Sequence, residues 1–163
     1  MVICTRTRIT WGTLPMNIQI RPLASQDYPQ WLPHWQAYLD YYKSPFKQEQ
    51  AALTWQRLCD ANFNMHGFIA ESDGQAVGIV HCLFHPSTWT VGDYCYLQDL
   101  FVVPALRGQH IGRQLIQTVV EFAKSRTADR VYWLTQESNQ AGRLLYDKVA
   151  QQTGFIHYRI APL

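Results

Sequence analysis

Residues 101–112, FVVPALRGQHIG, carry an apolar run into a proline and then into an arginine and two glycines. They lead directly into RQLIQTVVEFAKSR, which reads as a helix. The first N–H groups of a helix have no partner inside it and share its partial positive charge, so a turn placed there suits an anion. Arg107 could reach a phosphate oxygen, and Gly108 and Gly112 let the backbone approach closely. The residues therefore describe either a pyrophosphate cradle or a glycine-containing connector that caps a helix. They are not a P-loop, because Gly-Lys-Ser/Thr is absent. They are not a dinucleotide fingerprint either, because no GxGxxG lies in an early βαβ unit.

Cys82 stands between His81 and His85 in HCLFH. A metal site is one reading of that trio, and a core cysteine between strand-end histidines is the other. Cys4, Cys59 and Cys95 lie far from it and from one another, and no CxxC pair occurs. Four reduced thiols in a cytoplasmic protein are the expectation, with no metal and no disulfide framework.

The elements that would position these groups follow from periodicity. NIQIRPL alternates as a half-buried strand does. SQDYPQWLPHWQAYLDYYK opens on a capping serine, and its aromatics recur at helical spacing after Pro33. KQEQAALTWQRLCDAN predicts a second helix with Ala52, Trp55, Leu58 and Cys59 on one side. HGFIAESDGQAVGIVHCLF predicts a hairpin around Ser72-Asp73-Gly74, and DYCYLQDLFVV a long aromatic strand. The helix after the turn places Ile111, Leu115, Val119 and Phe122 on one face. RVYWLT reads as a buried strand, SNQAGRLLYDKVAQQ as a helix and GFIHYRIA as a final strand. The order β-α-α-β-β-β-α-β-α-β fits an α/β mixed sheet with helices on both faces.

The chain has 163 residues, 47% hydrophobic and 16% charged, with a net charge of +2. That composition supports one globular domain. Basic residues are scattered, so no nucleic-acid partner is expected. No apolar run approaches a bilayer span. Residues 1–15 lack the apolar centre of a secretory signal and end at Pro15. They are expected to be a loose extension, with the domain running over 16–163.

YLQDLFVVPALRGQHIGRQLI resembles the cofactor-binding motif of the GNAT superfamily of acyl-CoA-dependent N-acetyltransferases. NQAGRLLYDKVAQQTGF resembles the family's second signature, and the element order is similar to its fold. The resemblance implies a central, mostly antiparallel sheet with splayed strands, and acetyl-CoA as cosubstrate. It implies that Leu100, Phe101 and Val102 pair with the pantetheine arm as a strand would. The amides of Arg107, Gly108, Gln109, His110, Ile111 and Gly112 would hold the pyrophosphate, and Asn139 would bond the arm or nearby backbone. Tyr146 would face the thioester sulfur as general acid. Two departures stand out: His110 occupies a position usually glycine, tolerable if that residue is already helical. The longer gap between Tyr146 and Gly154-Phe155 predicts an extra turn of helix.

An amine attacks a thioester only as the free base, although alkyl amines have a pKa of roughly 10. A proton must leave it, an oxyanion must be stabilised and a thiolate protonated. A backbone N–H near Phe101 or Val102 is the expected oxyanion donor. Gln98 stands where the polyamine-acetylating branch of the family usually has glutamate, and glutamine is no base. Either Asp99 draws the proton through water as the candidate base, or a water wire does so without a dedicated carboxylate and Asp99 is a structural cap. Tyr41, Tyr42 and Gln98 are expected beside a small-molecule amine acceptor, since rings next to carboxylates attract ammonium groups. Members of the family often pair, so a homodimer is open to this chain. A protein acetyltransferase and a catalytically silent CoA-binding sensor are the alternatives.

Overall fold

The computed structural model describes residues 17–161; the extension expected over 1–15 lies outside them. The elements in chain order are β1 (Ile18–Pro22), α1 (Tyr28–Tyr41), α2 (Gln48–Cys59), β2 (Met65–Ser72) and β3 (Gln75–His85). They continue with β4 (Tyr94–Val102), α3 (Ile111–Ser125), β5 (Arg130–Tyr132) and α4 (Gln140–Val149). The five strands form one sheet in the order β1-β2-β3-β4-β5. Every pairing is antiparallel except the last, in which β5 runs parallel to β4.

Each face of the sheet carries its own core. On one side Trp31, Trp35 and Leu39 of α1 and Ala51 and Leu58 of α2 cover Ile69, Ile79 and Phe101. On the other, Ile111, Leu115, Ile116 and Val119 of α3 cover Phe68, Val80, Cys82, Cys95 and Leu97. The α3 face is the one its periodicity predicts, with Phe122 packed at the margin.

Several expectations need correction. GFIHYRIA forms no strand, and residues 151–161 have no regular structure. The extra residues before Gly154 add no helical turn, because α4 stops at Val149. The strand in RVYWLT shrinks to three residues that are only partly buried. The α2 face is centred on Ala51 and Leu58, with Ala52 and Cys59 exposed. No side chain caps α1; a short 3-10 turn begins at Ser25, and Asp27 occupies the cap position.

Asp27 is buried because its carboxylate is fully engaged. Arg21 Nη1 and Nη2 donate to its two oxygens at 2.6 and 2.8 Å, and the Ala24 amide donates to Oδ2 at 2.7 Å. The same guanidinium reaches Glu71 with Nε at 3.0 Å and Nη2 at 2.6 Å. One arginine on β1 thus ties β2 to the entry of α1. These bonds hold the Asp27 carboxyl below its ordinary value of 3.8, the Arg21 hydrogen bond being the main cause. A depressed carboxyl stabilises the fold above the unfolded-state value near 3.9, and the contribution is lost as pH falls through the folded-state value. Arg21→Ala should cost about 1–2 kcal/mol at pH 7, below the figure for a fully buried pair; the Arg21 side chain is 37% exposed. Urea titrations across pH should show the variant with a flatter loss of stability below about pH 4.

Candidate active site

The site begins with one extra residue. His81 of β3 faces Asp99 of β4, but Cys82 faces Leu97, so Gln98 is a bulge without a partner. A bulge inverts the alternation of side chains beyond it. Cys95 and Leu97 pack on the α3 side before it, and Leu100 and Val102 do so after it. Asp99 and Phe101 are thereby turned to the α1 side, where Phe101 joins the core under α1. Gln98 itself is exposed.

Asp99 is 6% exposed, and its carboxylate is held by a relay. Trp31 Nε1 donates to His81 Nε2 at 2.8 Å. An indole N–H can only donate, so His81 Nε2 accepts and the imidazole proton sits on Nδ1. Nδ1–H then donates to Asp99 Oδ2 at 3.0 Å. Helix α1, strand β3 and strand β4 are thus fixed to one another through a neutral imidazole.

Three tyrosines feel the charge of the same carboxylate. Burial pushes the phenols of Tyr38 and Tyr96 up, and the Asp99 charge is the next cause in each case. Tyr42 is raised by burial, then by Tyr41, with a further contribution from Asp99. Tyr38 and Tyr42 come from a ring ladder along α1, in which Trp31, Trp35, Tyr38 and Tyr42 succeed one another at 5.8, 5.5 and 5.0 Å between centroids. Tyr96 stacks on Tyr132 of β5 at 4.9 Å.

Beside this group the sheet opens. β4 and β5 pair only from Tyr94–Arg130 to Tyr96–Tyr132, so the β5-facing edge of β4 is free from Leu97 through Leu100, Phe101 and Val102. Beyond that edge lies the turn. The Arg107 amide already donates to Pro104 O at 3.3 Å. The amides of residues 108–113 donate to no acceptor among the described residues, and the first cap bond of α3 is Gln114 N to His110 O. Gly108 and His110 both have positive φ, +81° and +64°. His110 is therefore not helical as its tolerance would require; it is a left-handed cap to α3. That conformation, rather than contact with a phosphate alone, is what favours glycine there. Arg107 folds back, with Nε donating to Val102 O at 3.3 Å and its guanidinium 5.9 Å from the Tyr41 ring.

α4 supplies the opposite wall. Asn139 caps it, Oδ1 accepting from the Gly142 amide at 3.1 Å while Nδ2 donates to Thr135 Oγ1 at 2.9 Å. A β-carbon at Gly142 would collide with that cap. Tyr41 OH also donates to Asn139 Oδ1, at 3.2 Å, linking the end of α1 to the start of α4 across the opening. Tyr146 meets the Trp133 ring edge-on at 5.4 Å. Its phenol is pushed up to about 12 by burial first and then by Tyr42 and Tyr41.

The structure thus gathers Asp99, Tyr42, Tyr41, Asn139 and Tyr146 around the free end of β4, and leaves Gln98 on the exposed bulge. Sequence reasoning gives His81 and Tyr96 no role at this site, and from the aromatics of the first helix it singles out Tyr41 and Tyr42 for the pocket, not Trp31 or Tyr38. Tyr38 was visible as the residue one helical turn before Tyr42. His81 was visible in HCLFH, which no metal cluster among the described residues claims.

The model of the Acetyltransferase (GNAT) family matches residues 26–150. The chain belongs to the GNAT family. It is an acetyl-CoA-dependent N-acetyltransferase. This GNAT enzyme is 31% identical over 145 residues to the D-amino-acid N-acetyltransferase HPA3 of Saccharomyces cerevisiae, covering 88% of this chain and 90% of that one. It is 32% identical over 88 residues to the thialysine N-epsilon-acetyltransferase of Caenorhabditis elegans, a match covering 54% of each. The aminoglycoside N-acetyltransferase AAC(6')-Iy, solved in complex with CoA, shares the fold with a TM-score of 0.79 at 15% identity, over 91% of this chain and 97% of that one. The ribosomal-protein-alanine N-acetyltransferase of Brucella melitensis does so with a TM-score of 0.74 at 22% identity, over 88% and 98%.

A left-handed non-glycine residue costs roughly 1–2 kcal/mol, of which glycine's greater freedom in the unfolded chain returns about half. His110→Gly should therefore stabilise this GNAT enzyme by up to about 1 kcal/mol, a rise of roughly 2–4 °C in melting temperature. Differential scanning calorimetry checks it; an unchanged or lower midpoint would show that the histidine side chain makes compensating contacts.

Proposed function

We propose that the enzyme transfers acetyl from acetyl-CoA to the primary amine of a small cationic molecule, polyamine-like or derived from an amino acid. The observation that carries this reading is the buried Asp99 carboxylate, held by His81 and near enough to raise the phenols of Tyr38, Tyr42 and Tyr96, beside the free edge of β4. Aromatic faces around a carboxylate attract an ammonium group, and a desolvated setting strengthens the attraction. The named activities of the yeast and nematode relatives, on D-amino acids and on thialysine, point to the same substrate class.

In this reading acetyl-CoA lies along β4 with its pantetheine arm against Leu100, Phe101 and Val102. Its pyrophosphate sits on the open amides between Gly108 and Gly112, with Arg107 swinging from Val102 to a phosphate oxygen. Asp99 draws the ammonium in and takes its proton through water. A backbone N–H at Phe101 or Val102 receives the oxyanion as the amine adds to the thioester carbon. The C–S bond then breaks, and the CoA thiolate takes the proton of Tyr146. Because burial lifts that phenol to about 12, Tyr146 stays protonated throughout the pH range in which the amine becomes reactive.

Release of free CoA thiol from acetyl-CoA, followed across polyamines, D- and L-amino acids, aminoglycosides and lysine peptides, tests the proposal. Turnover should be confined to small amines; turnover of peptides alone would overturn it. Tyr146→Phe should lower kcat about 10²-fold with KM for acetyl-CoA little changed, the size of one general-acid contribution. Asp99→Asn keeps the volume and an acceptor for His81 Nδ1–H. It should lower kcat/KM for the amine by about 10²-fold and move the rising limb of the pH profile toward the free amine's pKa near 10. In the unsubstituted enzyme, no falling limb from Tyr146 should appear below about pH 11, since its proton is held up to about 12.

A further inference from the structure

His81 lies between two indoles. Its ring centroid is 5.9 Å from that of Trp31 and 5.4 Å from that of Trp35, and only 1% of the residue is exposed. An imidazole has three forms, with a proton on Nδ1, on Nε2 or on both. They do not serve Asp99 equally. With the proton on Nε2 alone, a nitrogen lone pair would face the Asp99 carboxylate across 3.0 Å. With both nitrogens protonated, the ring would be a cation against that carboxylate and would cancel the charge that draws an ammonium group. Only the neutral ring protonated on Nδ1 donates to Asp99 and leaves its negative charge to an incoming amine.

The choice among the three is made on the far side of the ring. Trp31 Nε1 stands 2.8 Å from His81 Nε2, and an indole N–H can only donate. It closes Nε2 to a proton, which excludes both unsuitable forms at once. It also denies His81 the role of base, since the one lone pair of the ring is occupied. The donor is itself aimed from outside the site. Trp31 is fully buried, and its ring meets Tyr28 of α1 at 6.0 Å and Trp55 of α2 at 5.0 Å. Helix α2, which contributes none of the residues gathered around β4, thus helps to fix the direction of one N–H.

We infer that Trp31 is a positioning residue for acetyl transfer: its indole N–H selects the Nδ1–H form of His81 and so keeps the Asp99 carboxylate both held and negatively charged before the amine. Only Oδ2 of that carboxylate is spent on the relay. The inference rests on the proposed role of Asp99 as the group that receives the ammonium.

Nitrogen-15 imidazole spectra of the unsubstituted enzyme at neutral pH should show His81 with Nδ1 protonated and Nε2 bare. The Nε2–H form or the imidazolium overturns the inference. Trp31→Phe keeps a ring and removes the N–H. It should lose that signature and lower kcat/KM for the amine about tenfold, the weight of one hydrogen bond, with KM for acetyl-CoA unchanged. Added to Asp99→Asn, it should cost nothing further, because it acts only through that carboxylate. Additive losses overturn the inference and make Trp31 a packing residue alone. A loss in Asp99→Asn with full activity in Trp31→Phe also overturns it, and leaves the proposed function standing. Full activity in Asp99→Asn overturns the role of Asp99 on which both depend. Should Trp31→Phe fail to fold, His81→Asn decides, because its amide N–H can replace Nδ1–H and has no tautomer to choose. A kcat/KM near that of the unsubstituted enzyme supports the inference; a loss as deep as that of Asp99→Asn overturns it.

Discussion

The extra residue in β4 is the constraint on which the rest depends. With strict alternation through Gln98, Asp99 would turn into the apolar layer under α3, among Cys95, Leu97 and Val119, where a lone carboxylate costs several kcal/mol. The bulge turns it instead toward His81, which is itself held by Trp31. Each member satisfies the next: a donor-only indole sets the imidazole tautomer, and the imidazole supplies the N–H that makes a buried carboxylate tolerable. A residue placed for packing at the start of α1 thereby fixes the charge state available at the centre of the sheet.

The same strand serves two layers of the site because its two edges are treated differently. One edge is paired with β3 on both sides of the bulge, which holds Phe101 and Val102 against Ile79 and Gly78. The other loses β5 after Tyr96, so backbone groups that would be consumed in a ladder stay free. The free edge leads directly to the α3 N-terminus, where six successive amides are also unpaired among the described residues. An extended ligand with an anionic end meets strand-like partners first and a helix dipole second. His110 supports this geometry at the cost of a left-handed backbone, a strain of the kind that persists where surrounding structure fixes the turn.

What could be read from the sequence was what depends on near neighbours. The α3 face, the hairpin at Asp73-Gly74 and the turn before α3 follow from spacings within one element, and the two motifs identified the family. The bulge could not be read, because it is a property of β3 and β4 together, and without it Asp99 and Tyr96 fall on opposite faces. The role of His81, as distinct from its presence in HCLFH, could not be read for the same reason: its partners are 50 residues upstream and 18 downstream. The α2 face was misjudged by one residue, since the choice between Ala51 and Ala52 rests on where β2 lies. GFIHYRIA has every local property of a strand, yet a strand exists only where a sheet edge receives it.

The two walls of the site are anchored unequally. The Asp99 side is tied into the core under α1 through Trp31, His81 and Phe101, all nearly inaccessible. Tyr146 rides on α4, whose ten residues include none that is fully buried; Leu145, Tyr146 and Val149 pack only at the margin of the core, and the Asn139 cap and a Tyr41 hydrogen bond tie its start. Elements with few buried contacts open first, so the wall carrying Tyr146 is the one most open to local motion. In the proposed reaction Tyr146 must reach a sulfur while Asp99 reaches an amine, so the catalytic geometry depends on the less anchored wall.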